Sequence, residues 1–274
     1  MAAHPSNGDL ADLALRIARE AAALVRERRT GEVTVAATKS SDVDVVTEAD
    51  RASEALIRDR LLAERPDDGV LGEEGADRAG RSGVRWVVDP IDGTVNFLYG
   101  LPQYAVSIAA ERDGVVVAGV VLNVASGAEY VAHLADDRGP AVATRDGVPL
   151  AVRGPAPLHL RLVSTGFNYD ARIRRLQAEA LARLITEVRD VRRLGSCALD
   201  LCQVAEGVVD GYFEEGVNAW DHAAGGLVAQ VAGARLEVLD GIGGTDLVVC
   251  APPHGFDDLA AALERAGFTA PAGE

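Results

Sequence analysis

Between Asp9 and Arg29 the apolar residues Leu10, Leu13, Ile17, Ala21 and Leu24 return at helical spacing, which predicts an amphipathic helix ended by Thr30 and Gly31. A second helix is predicted from about Thr47 to Ala63, opened by Thr47 with Asp50 three residues on, and stopped before Pro66. The period then changes. Val70-Leu71 is a short apolar strand, and Val84 to Val88, Ala105 to Ala110, Val115 to Leu122 and Glu129 to Leu134 are β-rich runs punctuated by Asp113-Gly114 and Ser126-Gly127. That pattern is a mostly antiparallel meander. Beyond Pro155 and Pro157, strands near Leu160 to Ser164, Val191 to Leu194 and Gly211 to Glu214 alternate with helices. These helices are expected near Ala171 to Val188, Ser196 to Glu206, from Trp220-Asp221 onward, and Phe256 to Ala266. The chain thus divides into an α+β half, residues 1–153, and an α/β half, residues 154–274.

Composition narrows the possibilities. A chain of 274 residues, 48% hydrophobic and 25% charged with a mean hydropathy of +0.08, has the profile of a folded globular protein. Its net charge of −15 repels polyanions, so nucleic acid is not an expected partner. The densest arginine groups, Arg26 to Arg29 and Arg189 to Arg193, read as solvated element ends. Cys197, Cys202 and Cys250 form no CxxC pair and leave an odd count, so neither a thiolate zinc site nor a disulfide framework is suggested, and a reducing cytoplasm is the expected compartment. The first ten residues lack a basic start and an apolar core, and the longest apolar stretch, near Val115 to Leu122, cannot span a bilayer. No membrane partner is expected.

The central chemical feature is Trp86-Val87-Val88-Asp89-Pro90-Ile91-Asp92-Gly93-Thr94-Val95-Asn96-Phe97, an apolar strand expected to end in two carboxylates with a tight turn at Pro90 and Gly93. Asp89, Asp92 and the Ile91 carbonyl between them are hard oxygen donors that suit Mg2+ together with water and a phosphate. Free N–H groups of Gly93 and Thr94 at a helix start would attract a phosphate oxygen. The same aspartates can equally shape a turn and cap a helix. Gly72-Glu73-Glu74-Gly75 sets acids at another strand end, and Trp220-Asp221-His222 sets one at a helix start, where metal ligand and cap are again both open readings. Asp42-Val43-Asp44 lacks the spacing of a calcium loop and reads as a strand edge. His4, His133, His159 and His254 form no ligand spacing, and Phe97, Tyr99 and Tyr104 are expected to pack beneath the site.

Taken together, Lys39-Ser40-Ser41 with Val46-Thr47-Glu48-Ala49-Asp50, Gly72-Glu73-Glu74, Asp89 through Phe97, and Trp220-Asp221 through Gly225 resemble the inositol monophosphatase family in order and spacing. That family comprises lithium-sensitive, metal-dependent phosphomonoesterases, and the likeness covers nearly the whole chain. It implies a layered αβαβα sandwich, antiparallel in its first sheet and mixed in its second. It also implies that Glu73, Asp89 and the Ile91 carbonyl hold one Mg2+ while Asp89, Asp92 and Asp221 hold another, with two or three ions per site. Asp50 and Thr94 would orient the attacking water. Substrate contacts carried over by the resemblance are Asp92, Gly93, Thr94, Ser196, Cys197, Glu214 and Asp221, with Glu214 toward the alcohol. Cys197 stands where the family usually has alanine, and Gly75 replaces a hydroxyl residue. The resemblance further implies a homodimer.

The expected activity is Mg2+-dependent hydrolysis of a small phosphate monoester, myo-inositol monophosphate foremost. Charge arithmetic requires the cation, because Asp50, Glu73, Asp89, Asp92 and Asp221 gathered around a phosphate would repel it. Histidinol phosphate, fructose bisphosphate and phosphoadenosine phosphate are alternatives on the same scaffold. A noncatalytic interaction protein that keeps the fold is the alternative from another class.

Overall fold

Ser6 opens the first helix: its hydroxyl accepts from the Asp9 N–H (3.0 Å) while the Asp9 carboxylate accepts from the Ser6 N–H (2.8 Å). α1 (Asn7–Arg29) therefore starts ahead of the residue where its apolar period begins. In the computed structural model, which describes residues 5–30, 35–38, 45–75 and 77–270, the antiparallel strands β1 (Val35–Thr38) and β2 (Val45–Thr47) lead into α2 (Glu48–Glu64). Lys39-Ser40-Ser41 and Asp42-Val43-Asp44 lie outside the described residues.

The next strands form one sheet in chain order: β3 (Gly69–Gly72), β4 (Val84–Asp92), β5 (Ala105–Arg112), β6 (Val115–Asn123), β7 (Glu129–His133), β8 (Val142–Arg145) and β9 (Val148–Pro149). α3 (Thr94–Tyr99) sits between β4 and β5. β3 pairs parallel with β4, and every other pairing is antiparallel. After a 3₁₀ turn at Leu158–Leu160 come β10 (Leu162–Thr165), α4 (Ala171–Leu184), β11 (Asp190–Arg192), α5 (Cys197–Ala205), β12 (Gly211–Glu215) and α6 (Ala219–Val231). The hairpin β13 (Arg235–Asp240) and β14 (Asp246–Ala251) and the helix α7 (Pro253–Ala266) complete the chain. The second sheet, ordered β11-β10-β12-β14-β13, is mixed: β10 is parallel to β11 and β12, and the pairings of β14 are antiparallel.

Side-chain alternation along the strands builds five layers. In β4, Trp86 and Val88 face α1 and α2, whereas Val87 faces the opposite side, where α5 and α6 pack. In the second sheet, Tyr212, Val248 and Cys250 face α5 and α6, and Phe213, Val249 and Leu247 face α4 and α7. The layers are thus helices, sheet, helices, sheet, helices, the αβαβα sandwich expected. Ala223, Ala224, Gly225 and Gly226 make α6 slim enough to lie between two sheets.

Six strands exceed the elements read from the sequence: β1 and β2 ahead of α2, and β8, β9, β13 and β14. β9 and β13 have no fully buried residue and β8 has one, so burial leaves little period in them, while β14 is buried on both faces and shows a continuous apolar run instead of alternation. β4 also runs through Asp92, past Val88, with its register to β5 shifting between Asp89 and Asp92. Among the described residues no helix is long and apolar enough to cross a membrane.

The middle apolar layer joins Val87, Ala105 and Val121 from the first half to Leu201, Tyr212 and Val248 from the second. Leu201→Ala, at a fully buried position of α5, should lower stability by about 2–5 kcal/mol. Because the core is shared, denaturant unfolding of the variant should remain one transition by both fluorescence and circular dichroism; two separated transitions would show that the halves keep independent cores.

Candidate active site

A cavity of about 410 Å³ opens where the C-terminal end of β4 meets the N-terminal ends of α5 and α6. Glu73, Asp89, Ile91, Asp92, Gly93, Thr94, Cys197, Glu214 and Asp221 all line it. Two sequence-predicted residues do not: Asp50 and Ser196 are fully buried behind the wall.

Each acid reaches the cavity by a local device. Glu73 follows β3, and its N–H donates to the Val88 carbonyl (3.2 Å), which holds it beside the end of β4. The bulge in β4 lets the Asp89 carboxylate accept the Ile91 N–H (3.0 Å). The Ile91 side chain is fully in the core, so only its backbone faces the cavity. Asp221 occupies the first turn of α6, where its carboxylate accepts from the Asn218 N–H (2.5 Å). The cap reading and the ligand reading of Asp221 therefore hold together, since the first oxygen's bond leaves the other free.

Gly93 makes the turn between β4 and α3 with φ of 93°, and a Cβ there would fall 2.8 Å from the Gln103 carbonyl oxygen. Thr94 follows. Its hydroxyl lies 3.0 Å from Asp50 Oδ1 and 3.1 Å from the Ile91 carbonyl, either of which can accept its proton. Asp50 itself completes the capping box of α2: its Oδ2 accepts from the Thr47 N–H (2.8 Å) and from the Thr47 hydroxyl. One carboxylate thus caps a helix with one oxygen and faces Thr94 with the other.

Gly195 and Cys197 line the cavity, whereas the Ser196 side chain does not. It caps α5, and its hydroxyl donates to Asp92 Oδ2 (2.5 Å), the same oxygen that accepts the Ala198 N–H (2.7 Å). Its neighbour Cys197 is in the wall, and burial first, then Asp92, Asp221 and Glu214, push its thiol well above the usual range. It is a small, unreactive wall. Glu214 accepts from the Tyr212 hydroxyl (3.0 Å). Burial raises its carboxyl while Arg193 opposes the rise. Phe97 and Tyr104 are buried in an edge-on pair (5.4 Å), whereas Tyr99 is 77% exposed and does not pack beneath the site.

Sequence reasoning passed over two residues here. Arg193 is the one basic side chain lining the cavity among the described residues; it looked like part of a solvated arginine group. Asn96 stands inside the Asp89-to-Phe97 motif, but its spacing assigned it no role.

Electrostatically the site is under strain of one sign. Asp89, Asp92 and Asp221 each offer an oxygen, and these atoms lie within 4.8 Å of one another. Burial, followed by repulsion from Glu73, Asp92 and Asp221, drives Asp89 well above the usual carboxylate range. Asp221 is driven the same way by burial and by Asp92 and Glu73. Asp92 rises to about 7, burial outweighing the bonds from Ser196 and Ala198. Asp50 rises to about 6, chiefly through burial. Hard oxygen donors at this density, with one arginine to offset them, fit a divalent cation such as Mg2+.

A model of the inositol monophosphatase family matches residues 7–266. Inositol-1-monophosphatase SuhB of Mycobacterium tuberculosis is 47% identical over 279 residues, with 93% of each chain covered. A Pasteurella multocida relative, Nus factor SuhB, is 38% identical over 224 residues, 81% of this chain and 82% of that one. The solved structure of Mycobacterium tuberculosis SuhB matches with a TM-score of 0.80 at 45% identity, covering 97% of this chain and 99% of that one. With the family match spanning both sheets and every acidic segment of the cavity, the chain belongs to the inositol monophosphatase family of phosphoric monoester hydrolases.

Proposed function

We propose that this protein hydrolyses a small phosphorylated polyol, myo-inositol monophosphate foremost, in a reaction that depends on Mg2+ held by Glu73, Asp89, Asp92, Asp221 and the Ile91 carbonyl. The observation that carries this reading is the convergence of Asp89, Asp92 and Asp221 oxygens within 4.8 Å inside a cavity that Glu73 also lines. Bound there, Mg2+ supplies Lewis-acid stabilisation of the phosphoryl group and of the leaving oxygen and lowers the pKa of water.

The chain's own residues do the rest. A Thr94 hydroxyl that donates to Asp50 keeps its lone pairs for a water in the cavity, which it orients toward the phosphorus. Asp50, raised to about 6, is suited to receive a proton through Thr94 near neutral pH. The N–H groups of Gly93 and Thr94, at the cavity end of β4, donate to phosphate oxygens, and Glu214, in the same lining, accepts a hydroxyl of the alcohol. The relative named Nus factor SuhB favours a second reading in which the fold also serves an interaction role. The complete acidic set argues against that as the sole role, since binding a partner does not require oxygens so crowded.

Phosphate release should appear with Mg2+ and vanish in EDTA across inositol monophosphate, histidinol phosphate and fructose bisphosphate, with inositol monophosphate turned over fastest. No turnover of any monoester would favour the interaction reading. Asp92→Asn should lower kcat by at least ~100-fold while leaving the circular dichroism spectrum unchanged; wild-type turnover would refute the ligand assignment. Glu214→Gln should raise KM for inositol monophosphate about tenfold and leave p-nitrophenyl phosphate, which has no ring hydroxyls, unaffected. Equal loss on both substrates would remove Glu214 from the alcohol site.

Stability gives a further check. Asp92 and Asp50 have folded-state pKa values raised to about 7 and about 6, so their contribution to stability is complete at acid pH and lost as pH rises through those values. In EDTA, the melting temperature should fall from pH ~5 to pH ~8, and Mg2+ should restore most at the upper end, because it favours the ionised form. A melting temperature in EDTA that rises over that window would contradict the assigned environments.

A further inference from the structure

Asn96 is 5% exposed, outside the cavity lining, and four residues beyond Asp92. Its Nδ2 donates to three backbone carbonyls: Gln103 (2.7 Å), Leu194 (2.8 Å) and Gly195 (3.2 Å). Three converging acceptors leave only one orientation for the carboxamide, since Oδ1 turned toward them would have nothing to accept. Two of those carbonyls belong to the second half of the chain, some hundred residues away. Gly195, with φ of 86°, packs directly on the amide: a Cβ there would fall 3.0 Å from Asn96 Nδ2.

The same turn returns a contact to the first half. Immediately after Gly195, the Ser196 hydroxyl and the Ala198 N–H both donate to Asp92 Oδ2. A closed circuit results, running from Asp92 through Gly93 and α3 to Asn96, across to the 194–195 backbone, and back from Ser196 and Ala198 to Asp92. Asp92 thus accepts from the same segment whose backbone carbonyls accept from Asn96.

Resting on the reading of Asp92 as a cation ligand, we infer that Asn96 is a positioning residue: its carboxamide clamps the 194–198 turn so that Asp92 keeps one oxygen bonded and aims the other into the cavity. Asn96 touches neither cation nor substrate. Its effect passes through Ser196 and Ala198, as outer partners of a metal ligand commonly act.

Mn2+ alone, titrated into the purified full-length protein with the free ion read by electron paramagnetic resonance, tests this. Wild type is compared with Asn96→Asp, Ser196→Ala and the double variant. Asn96→Asp keeps the shape but faces three carbonyls with a carboxylate. Any direct effect of its charge would tighten cation binding, so weakening reports the clamp. Each single variant should weaken Mn2+ about tenfold, and the double no further than the worse single, because both act on one path. Wild-type affinity in Asn96→Asp, multiplying effects in the double, or a lowered melting temperature with unchanged Mn2+ binding would each overturn the inference. If Asn96→Asp does not fold, Asn96→Ala removes the donors without adding an acceptor and must meet the same expectation; failure of both to fold makes the residue architectural and also overturns it. Wild type that binds no Mn2+ at all would instead overturn the metal reading of the site.

Discussion

Carboxylate oxygens of Asp89, Asp92 and Asp221 stand within 4.8 Å of one another, with Glu73 and Glu214 lining the same cavity. Left ionised and unpaired, such a group would push itself apart. Each carboxylate is tied by hydrogen bonds: Asp89 to the Ile91 N–H, Asp92 to Ser196 and Ala198, Asp221 to the Asn218 N–H. Repulsion that the fold does not relieve is left for a cation to neutralise, and this makes the crowding useful to a phosphatase.

That arrangement needs a frame whose two halves cannot drift. The middle layer, α5 and α6, packs on the inner faces of both sheets, and its helix starts carry Cys197 and Asp221 to the cavity. Small residues in α6 permit the close approach, and the shared apolar core resists separation of the sheets. The Asn96 contacts work at shorter range. They fix the 194–198 turn against α3 through backbone carbonyls.

Several residues serve structure and chemistry at once. Asp50 caps α2 and pairs with Thr94, and Asp221 caps α6 and faces the cavity. A carboxylate has enough acceptor capacity for both roles. Competing interpretations based on helix capping and on metal binding therefore do not exclude each other here, and the buried setting of Asp50 gives it a proton affinity that an ordinary exposed cap lacks.

What the sequence determined by itself was local or repeated: the helical period of α1, the capping residues Thr47 and Asp50, the β-rich runs of β5 and β6, and the acidic segments at Glu73, Asp89 to Asp92 and Asp221. Periodicity and cap chemistry act over a few residues, so they are legible without coordinates. The tertiary structure decided the rest. It turned Ser196 from the cavity toward Asp92, left Tyr99 exposed while burying Phe97 and Tyr104, brought Arg193 into the cavity wall, and gave Asn96 its three acceptors. Each depends on which elements, some separated by about a hundred residues, meet at one point. That meeting is set by how two sheets bury a common layer of helices, a property of packing that no short segment carries.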